Sequence, residues 1–153
     1  MQMINFIYFF IGATIFCVDR LTKYLALFWL HNRPYKINSF ISGDLVINRG
    51  VSWGLLHSES SNAFVFVSLL IVFVTLLICW QAYSLWCKNK FVVGYVCVIT
   101  GSLSNIIDRM YYGGVIDFIL LSYKNFYWPV FNVADIVIVG GILIILLQDE
   151  TWT

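Results

Sequence analysis

Four long apolar stretches, Phe6 to Leu30, Ala63 to Trp86, Phe91 to Ile107 and Val130 to Leu147, constrain this chain more than any other feature. Each approaches or exceeds the roughly 17 to 25 residues that a helix needs to cross a bilayer. The second contains no charge at all. Hydrophobic residues make up 61% of the chain and charged residues 11%, well below the quarter typical of soluble domains, so the chain reads as a membrane protein. The 153 residues form one membrane unit, 1–153, with no internal repeat and little linker composition. A net charge of +1 offers no basic surface for nucleic acid. The N-terminus lacks a basic segment and an A-x-A site, and reads as a retained span rather than a removed signal peptide.

Two polar loops interrupt the spans. In the first, Ser39 to Ile41 and Leu45 to Ile47 flank Ser42-Gly43-Asp44 like a short hairpin. In the second, Val115 to Leu121 and Phe126 to Val130 flank Ser122 to Asn125 in the same way. The expected fold is therefore an α-helical membrane protein: four transmembrane helices with a small extramembrane β element built from the two long loops.

In an up-and-down chain, the end of span 1, the end of span 3 and the start of span 4 lie at one membrane face. The charges gather there. Asp19, Arg20 and Lys23 occupy the later half of span 1, Asn105, Asp108 and Arg109 close span 3, and Asn132 and Asp135 open span 4. Both long loops emerge at this same face. Asp135 is expected about 7 to 8 Å below Val130 at the helical rise per residue. A carboxylate in such a stretch costs roughly 2.5 to 3.5 kcal/mol on insertion scales, so function is its default explanation. Asp19 with Lys23, and Gly101 with Asn105 and Arg109, recur every four residues and share a helix face. Interhelical glue accounts for a lone Asn or Ser, but several ionisable groups at one depth ask for more than glue.

The residue types narrow the chemistry. His31 and His57 are the only histidines, both in the first loop, and neither a G-x-S-x-G nor an H-E-x-x-H motif occurs. The cysteines Cys17, Cys79, Cys87 and Cys97 form no C-x-x-C pair and read as small hydrophobes, with no metal or cofactor implied. Carboxylates remain: two aspartates sharing one proton can activate water while polarising a scissile carbonyl. Spacing alone does not choose Asp117 as the partner of Asp135 and points to Asp108 instead.

The runs Asp19-Arg20-Leu21-Thr22-Lys23, Asn48-Arg49-Gly50-Val51-Ser52-Trp53-Gly54, Asn105-Ile106-Ile107-Asp108-Arg109, Val115-Ile116-Asp117-Phe118 and Phe131-Asn132-Val133-Ala134-Asp135 resemble the successive motifs of bacterial lipoprotein signal peptidase, signal peptidase II. The resemblance covers nearly the whole chain. It implies an inner-membrane aspartyl protease that cuts the signal peptide from prolipoproteins before a diacylglyceryl-modified cysteine, with these substrates and membrane lipids as partners. It also implies that Asp117 and Asp135 are the catalytic pair. The alternating pattern of Val115 to Ile119 is compatible with returning Asp117 toward the bundle after a Gly113-Gly114 turn.

By the same resemblance, Asn48 and Gly50 belong to the substrate-side loop, and Asn105, Arg109 and Asn132 to the polar groups that position the peptide or orient the pair. Asp19 and Lys23 match motif positions, with an intrahelical ion pair as the structural alternative, and Asp108 is expected to partner Arg109 or another neighbouring base. Ser104 stands where the family usually has glycine, a change expected to loosen helix packing slightly. The signal helix of the substrate is expected against spans 1, 3 and 4, beneath loops bearing Trp53, Tyr111, Tyr112, Tyr127 and Trp128. Lys88 and Lys90 favour a cytoplasmic turn between spans 2 and 3, whereas Arg33, Lys36, Arg49 and Lys124 in the long loops and the acidic tail Asp149-Glu150 favour the reverse. The resemblance places both termini inside. A proton-coupled transporter and a non-catalytic assembly factor are the alternative classes.

Overall fold

The computed structural model describes residues 2–30, 34–50 and 61–148. Among these, helices α1 (Gln2–Trp29), α2 (Ser61–Cys87), α3 (Val93–Tyr112) and α4 (Val133–Leu147) correspond to the four apolar stretches. Backbone amides in an apolar medium must find partners within their own segment, which is why such stretches become helices. α1 and α2 are each long and apolar enough to cross a membrane.

The burial pattern is inverted relative to a soluble domain. Large side chains such as Phe66, Phe73 and Trp80 of α2 face outward, while Asp19, Lys23, Ser104, Asp108 and Asn132 are among the most deeply buried groups. α3 is the central helix and packs on α1, α2 and α4. Its approach to α4 is close because a Cβ at Gly94 would meet the Gly141 carbonyl oxygen at 2.8 Å. Small residues let the two helix backbones approach this closely. α2 packs chiefly on α3, which leaves a gap between α2 and α4.

Strands β1 (Tyr35–Lys36), β2 (Ile41–Asn48), β3 (Val115–Tyr123) and β4 (Phe126–Tyr127) form one antiparallel sheet in that order. The two long loops thus build a shared β element, as expected. The first loop corrects the sequence reading: Ser42-Gly43-Asp44 is not a hairpin turn but lies inside the continuous strand β2, with an irregularity in register between Gly43 and Val46. Pairing with β3 supplies the hydrogen bonds that a local hairpin would otherwise have needed. The second loop is a hairpin whose turn sets Lys124 at φ 54°.

α3 runs five residues beyond its apolar stretch and stops at Gly113, in the left-handed conformation at φ 66°. This C-cap reverses the chain into β3. α4 begins later than its apolar stretch. Phe131 is still extended and bridges Ile119 of β3, so Asp135 lies in the first turn of α4 rather than a turn and a half into it.

Candidate active site

The first polar cluster is charge-balanced. Lys23, 1% exposed at its side chain, reaches Asp19 at 2.8 Å and Asp108 at 2.7 Å, and Arg20 completes the set 2.5 Å from Asp108. Two acids meet two bases, which offsets the desolvation that an unpaired buried charge would suffer. Asp108 therefore pairs with Lys23 and Arg20 of α1, not with Arg109. The Ser104 hydroxyl donates to Asp19 Oδ2 at 2.6 Å, so this serine ties α3 to α1 and does not loosen their packing.

Asp19 also shapes the start of α4. Its Oδ1 accepts the Ala134 backbone N–H at 2.8 Å, one of the amides that a helix N-terminus leaves without an internal partner. Asn132 caps the next one: its side-chain oxygen accepts Asp135 N–H at 2.9 Å, while Asp135 Oδ2 accepts Asn132 N–H at 3.2 Å. This reciprocal capping box fixes the Asp135 side chain on its own helix end.

The second cluster contains acids without bound cations. Asp117 Oδ1 accepts the Asn132 amide at 2.7 Å, and Oδ2 accepts the Asn48 amide at 2.9 Å. Asp135 Oδ1 accepts the Asn105 amide at 2.9 Å. Asn132 thus touches both acids, through its side chain to Asp117 and through its backbone to Asp135. The β3 bridge at Ile119 to Phe131 holds the two chain segments in register behind it. Among the described residues neither carboxylate has a salt-bridge partner. Burial, reinforced by the negative charge of Asp135, pushes the Asp117 carboxyl up to about 7, against the opposing pull of its amide donors and of Lys23.

Both acids line a cavity of about 430 Å³ in the gap between α2 and α4. Asn48, Gly50, Asn105 and Arg109 line its polar end, and Val67, Ile71, Val74, Ile138 and Ile142 carry it into the apolar bundle. The Arg109 Nη2 donates to the Gly50 carbonyl at 2.7 Å, and among the described residues Nε and Nη1 are buried without a hydrogen-bond partner. The helical walls of the cavity come from α2, α3 and α4, and no residue of α1 lines it.

Of the sequence-derived residues, Asn48, Gly50, Asn105, Arg109, Asp117 and Asp135 meet at the cavity, and Asn132 stands directly behind it. Asp19 and Lys23 lie a layer further back, holding helices rather than facing the space. His31, His57 and Trp53 fall outside the described residues. The apolar wall from α2 was missed by sequence reasoning because that helix carries no polar marker. Arg20 was missed as a partner of Asp108, although its place beside Asp19 in an apolar helix was a usable signal. Among the described residues, no group of His, Cys, Asp or Glu is arranged to hold a metal ion.

Residues 11–149 match the family model described as signal peptidase (SPase) II. A lipoprotein signal peptidase of Dichelobacter nodosus is 32% identical over 146 residues, covering 93% of this chain and 92% of that protein. One of Thermodesulfovibrio yellowstonii is 36% identical over 136 residues, covering 88% of each. A solved bacterial membrane enzyme superposes with a TM-score of 0.72 at 22% identity, over 94% of this chain and 92% of its own, and shares the fold.

Proposed function

Because the chain belongs to the signal peptidase II family, a membrane peptidase family, we propose that it is an intramembrane aspartyl endopeptidase acting on diacylglyceryl-modified prolipoproteins. It cuts the peptide bond before the lipidated cysteine. The observation that carries the aspartyl mechanism is the pair Asp117 and Asp135, tied by Asn132, exposed to one cavity and without an ion-pair partner among the described residues.

The pair holds one proton. The carboxyl of Asp117 is raised to about 7, which keeps a proton within the pair near neutral pH, and in this reading Asp117 holds that proton and Asp135 is the base. Asp135 takes a proton from water as its oxygen attacks the scissile carbonyl carbon, and Asp117 gives its proton to the carbonyl oxygen. As the tetrahedral intermediate collapses, the C–N bond breaks, the proton on Asp135 passes to the departing amine, and a hydroxyl proton returns to Asp117. The Nε and Nη1 of Arg109, without a partner among the described residues, suit a peptide carbonyl of the substrate, and the apolar wall of α2 and α4 suits the signal helix.

All four helices cross the bacterial inner membrane in this reading. α3, with 20 residues, reaches about 30 Å, and its charged groups are turned inward, Asp108 onto α1 and Arg109 onto the Gly50 carbonyl and the Phe64 ring of α2. Both termini are cytoplasmic and the sheet with its cavity lies at the periplasmic face. Neither a proton-coupled transporter nor an assembly factor draws support from the family match. The test is cleavage of a purified diacylglyceryl-modified prolipoprotein by wild type, Asp117→Asn and Asp135→Asn. Wild type should release the signal peptide and both variants should not; activity retained in either variant removes that residue from the pair.

A further inference from the structure

A second cavity, about 440 Å³, lies at the end of the bundle remote from the aspartates, lined by Ile4, Tyr8, Trp86, Cys87, Asn89 and Lys90. It opens between the first turns of α1, the last turn of α2 and the connection to α3. Along α3 the two ends are separated by roughly 18 Å, the rise of the dozen residues from Val93 to Asn105.

The groups around this space are donors. Among the described residues, Lys90 and its neighbour Lys88 have no ion pair and no carboxylate lines the cavity. Asn89 stands in the left-handed conformation at φ 58°. The Tyr8 hydroxyl oxygen accepts Val92 N–H at 3.4 Å, leaving its own proton to donate. The Trp86 ring N–H is already taken by Asn5 at 2.9 Å, so the indole contributes its apolar face. A cation in the lining with a second two positions away along the chain, an amide and a hydroxyl call for a ligand made of acceptors and carrying negative charge, which is the description of a phosphodiester.

The remaining walls say what is attached to it. Ile4 lines the space, and Met3, Ile7, Trp80 and Tyr83 continue outward from it as exposed apolar and aromatic surface on α1 and α2. α2 has no charged residue along its length. A phosphate without hydrocarbon would leave this surface uncovered, whereas acyl chains would lie on it. We propose that this cavity is a binding site for the headgroup of an anionic phospholipid, held by Lys90, Asn89 and Tyr8 with Lys88 at its rim. The inference rests on membrane placement and not on the peptidase mechanism. Basic pockets between helices at a membrane face are the general form of such sites.

The experiment measures lipid retention by the full chain purified in detergent, using native mass spectrometry with phosphatidylglycerol and phosphatidylcholine of identical acyl chains. Wild type should retain phosphatidylglycerol at least five-fold over phosphatidylcholine. Lys88→Gln/Lys90→Gln should lose that excess, and Tyr8→Phe should reduce it. Lys124→Gln, in the sheet at the other end, should keep it. Equal retention of the two lipids by wild type would overturn the proposal, as would an excess that survives Lys88→Gln/Lys90→Gln or disappears in Lys124→Gln. Displacement of phosphatidylglycerol by millimolar inorganic phosphate would reject the lipid as ligand. Circular dichroism of each variant separates loss of the site from loss of fold, and lipid retention is read independently of cleavage.

Discussion

Two polar clusters share one end of the bundle and a single bridging residue, yet their electrostatics are opposite. In the cluster of Asp19, Arg20, Lys23 and Asp108, every acid has a base in contact. In the pair Asp117 and Asp135, the contacts are amides and a backbone N–H, and the acids face a cavity. Asn105 joins them, accepting from Lys23 at 2.7 Å and donating to Asp135 at 2.9 Å. The difference teaches that burying charge in this bundle serves two ends. Balanced charge holds helices together, and the acids without cations are the pair to which the proposed chemistry is assigned.

The largest expected effect separates the clusters outright. Asp135→Asn should lower cleavage by about a thousand-fold or more while leaving the detergent-solubilised protein folded, since the amide keeps the size of the carboxylate and one of its two acceptor positions toward Asn105 and Asn132. Lys23→Met should instead unfold the protein or lower its stability by about 3 to 5 kcal/mol, because Asp19 and Asp108 lose a shared buried cation. Thermal unfolding monitored beside specific activity reads both. A folded, stable Lys23→Met protein would dissolve the distinction.

Dependence on pH comes next in size. With the Asp117 carboxyl raised to about 7, its proton is present below that pH and lost above it, so kcat should fall as pH rises through about 7. The stability sign follows from the same shift. The folded state favours the protonated form, so the stability due to this group is present at low pH and lost as pH rises toward about 7. Asp117→Asn removes that loss, and its melting temperature relative to wild type should be higher at pH 8 than at pH 5. An unchanged difference across that range would place Asp117 among ordinary carboxylates.

Ser104→Gly has the smallest expected effect. It deletes one hydrogen bond to Asp19 and should cost about 1 kcal/mol of stability, with wild-type-like activity per folded molecule. A loss of activity equal to that of Asp135→Asn would show that Asp19 and Ser104 act on the reaction through the α4 cap rather than on the fold.

Much of this was legible in the residues. Apolar length alone marked the four helices, and the Gly113-Gly114 pair marked the return of the chain toward the bundle. The β2 strand was misread because Ser42-Gly43-Asp44 carries local turn chemistry that pairing with a strand some seventy residues later overrides. The start of α4 was misread because Val130 and Phe131 are as apolar as the helix they precede, so composition does not mark the cap. Asp135 gains its capping box from that later start.

The sequence by itself determined that this chain is helical, membrane-embedded and loaded with polar groups at one end, since apolar length and charge placement are local properties. It also held motifs that pointed to Asp117 by resemblance. Only the tertiary structure decided which acids have cations and which do not. Asp108 is contacted by Arg20, eighty-eight positions earlier, and Asp117 by Asn48, sixty-nine positions earlier. Whether a buried carboxylate is a tie or a free acid depends on what packing brings within about 3 Å of it, and no local pattern specifies that.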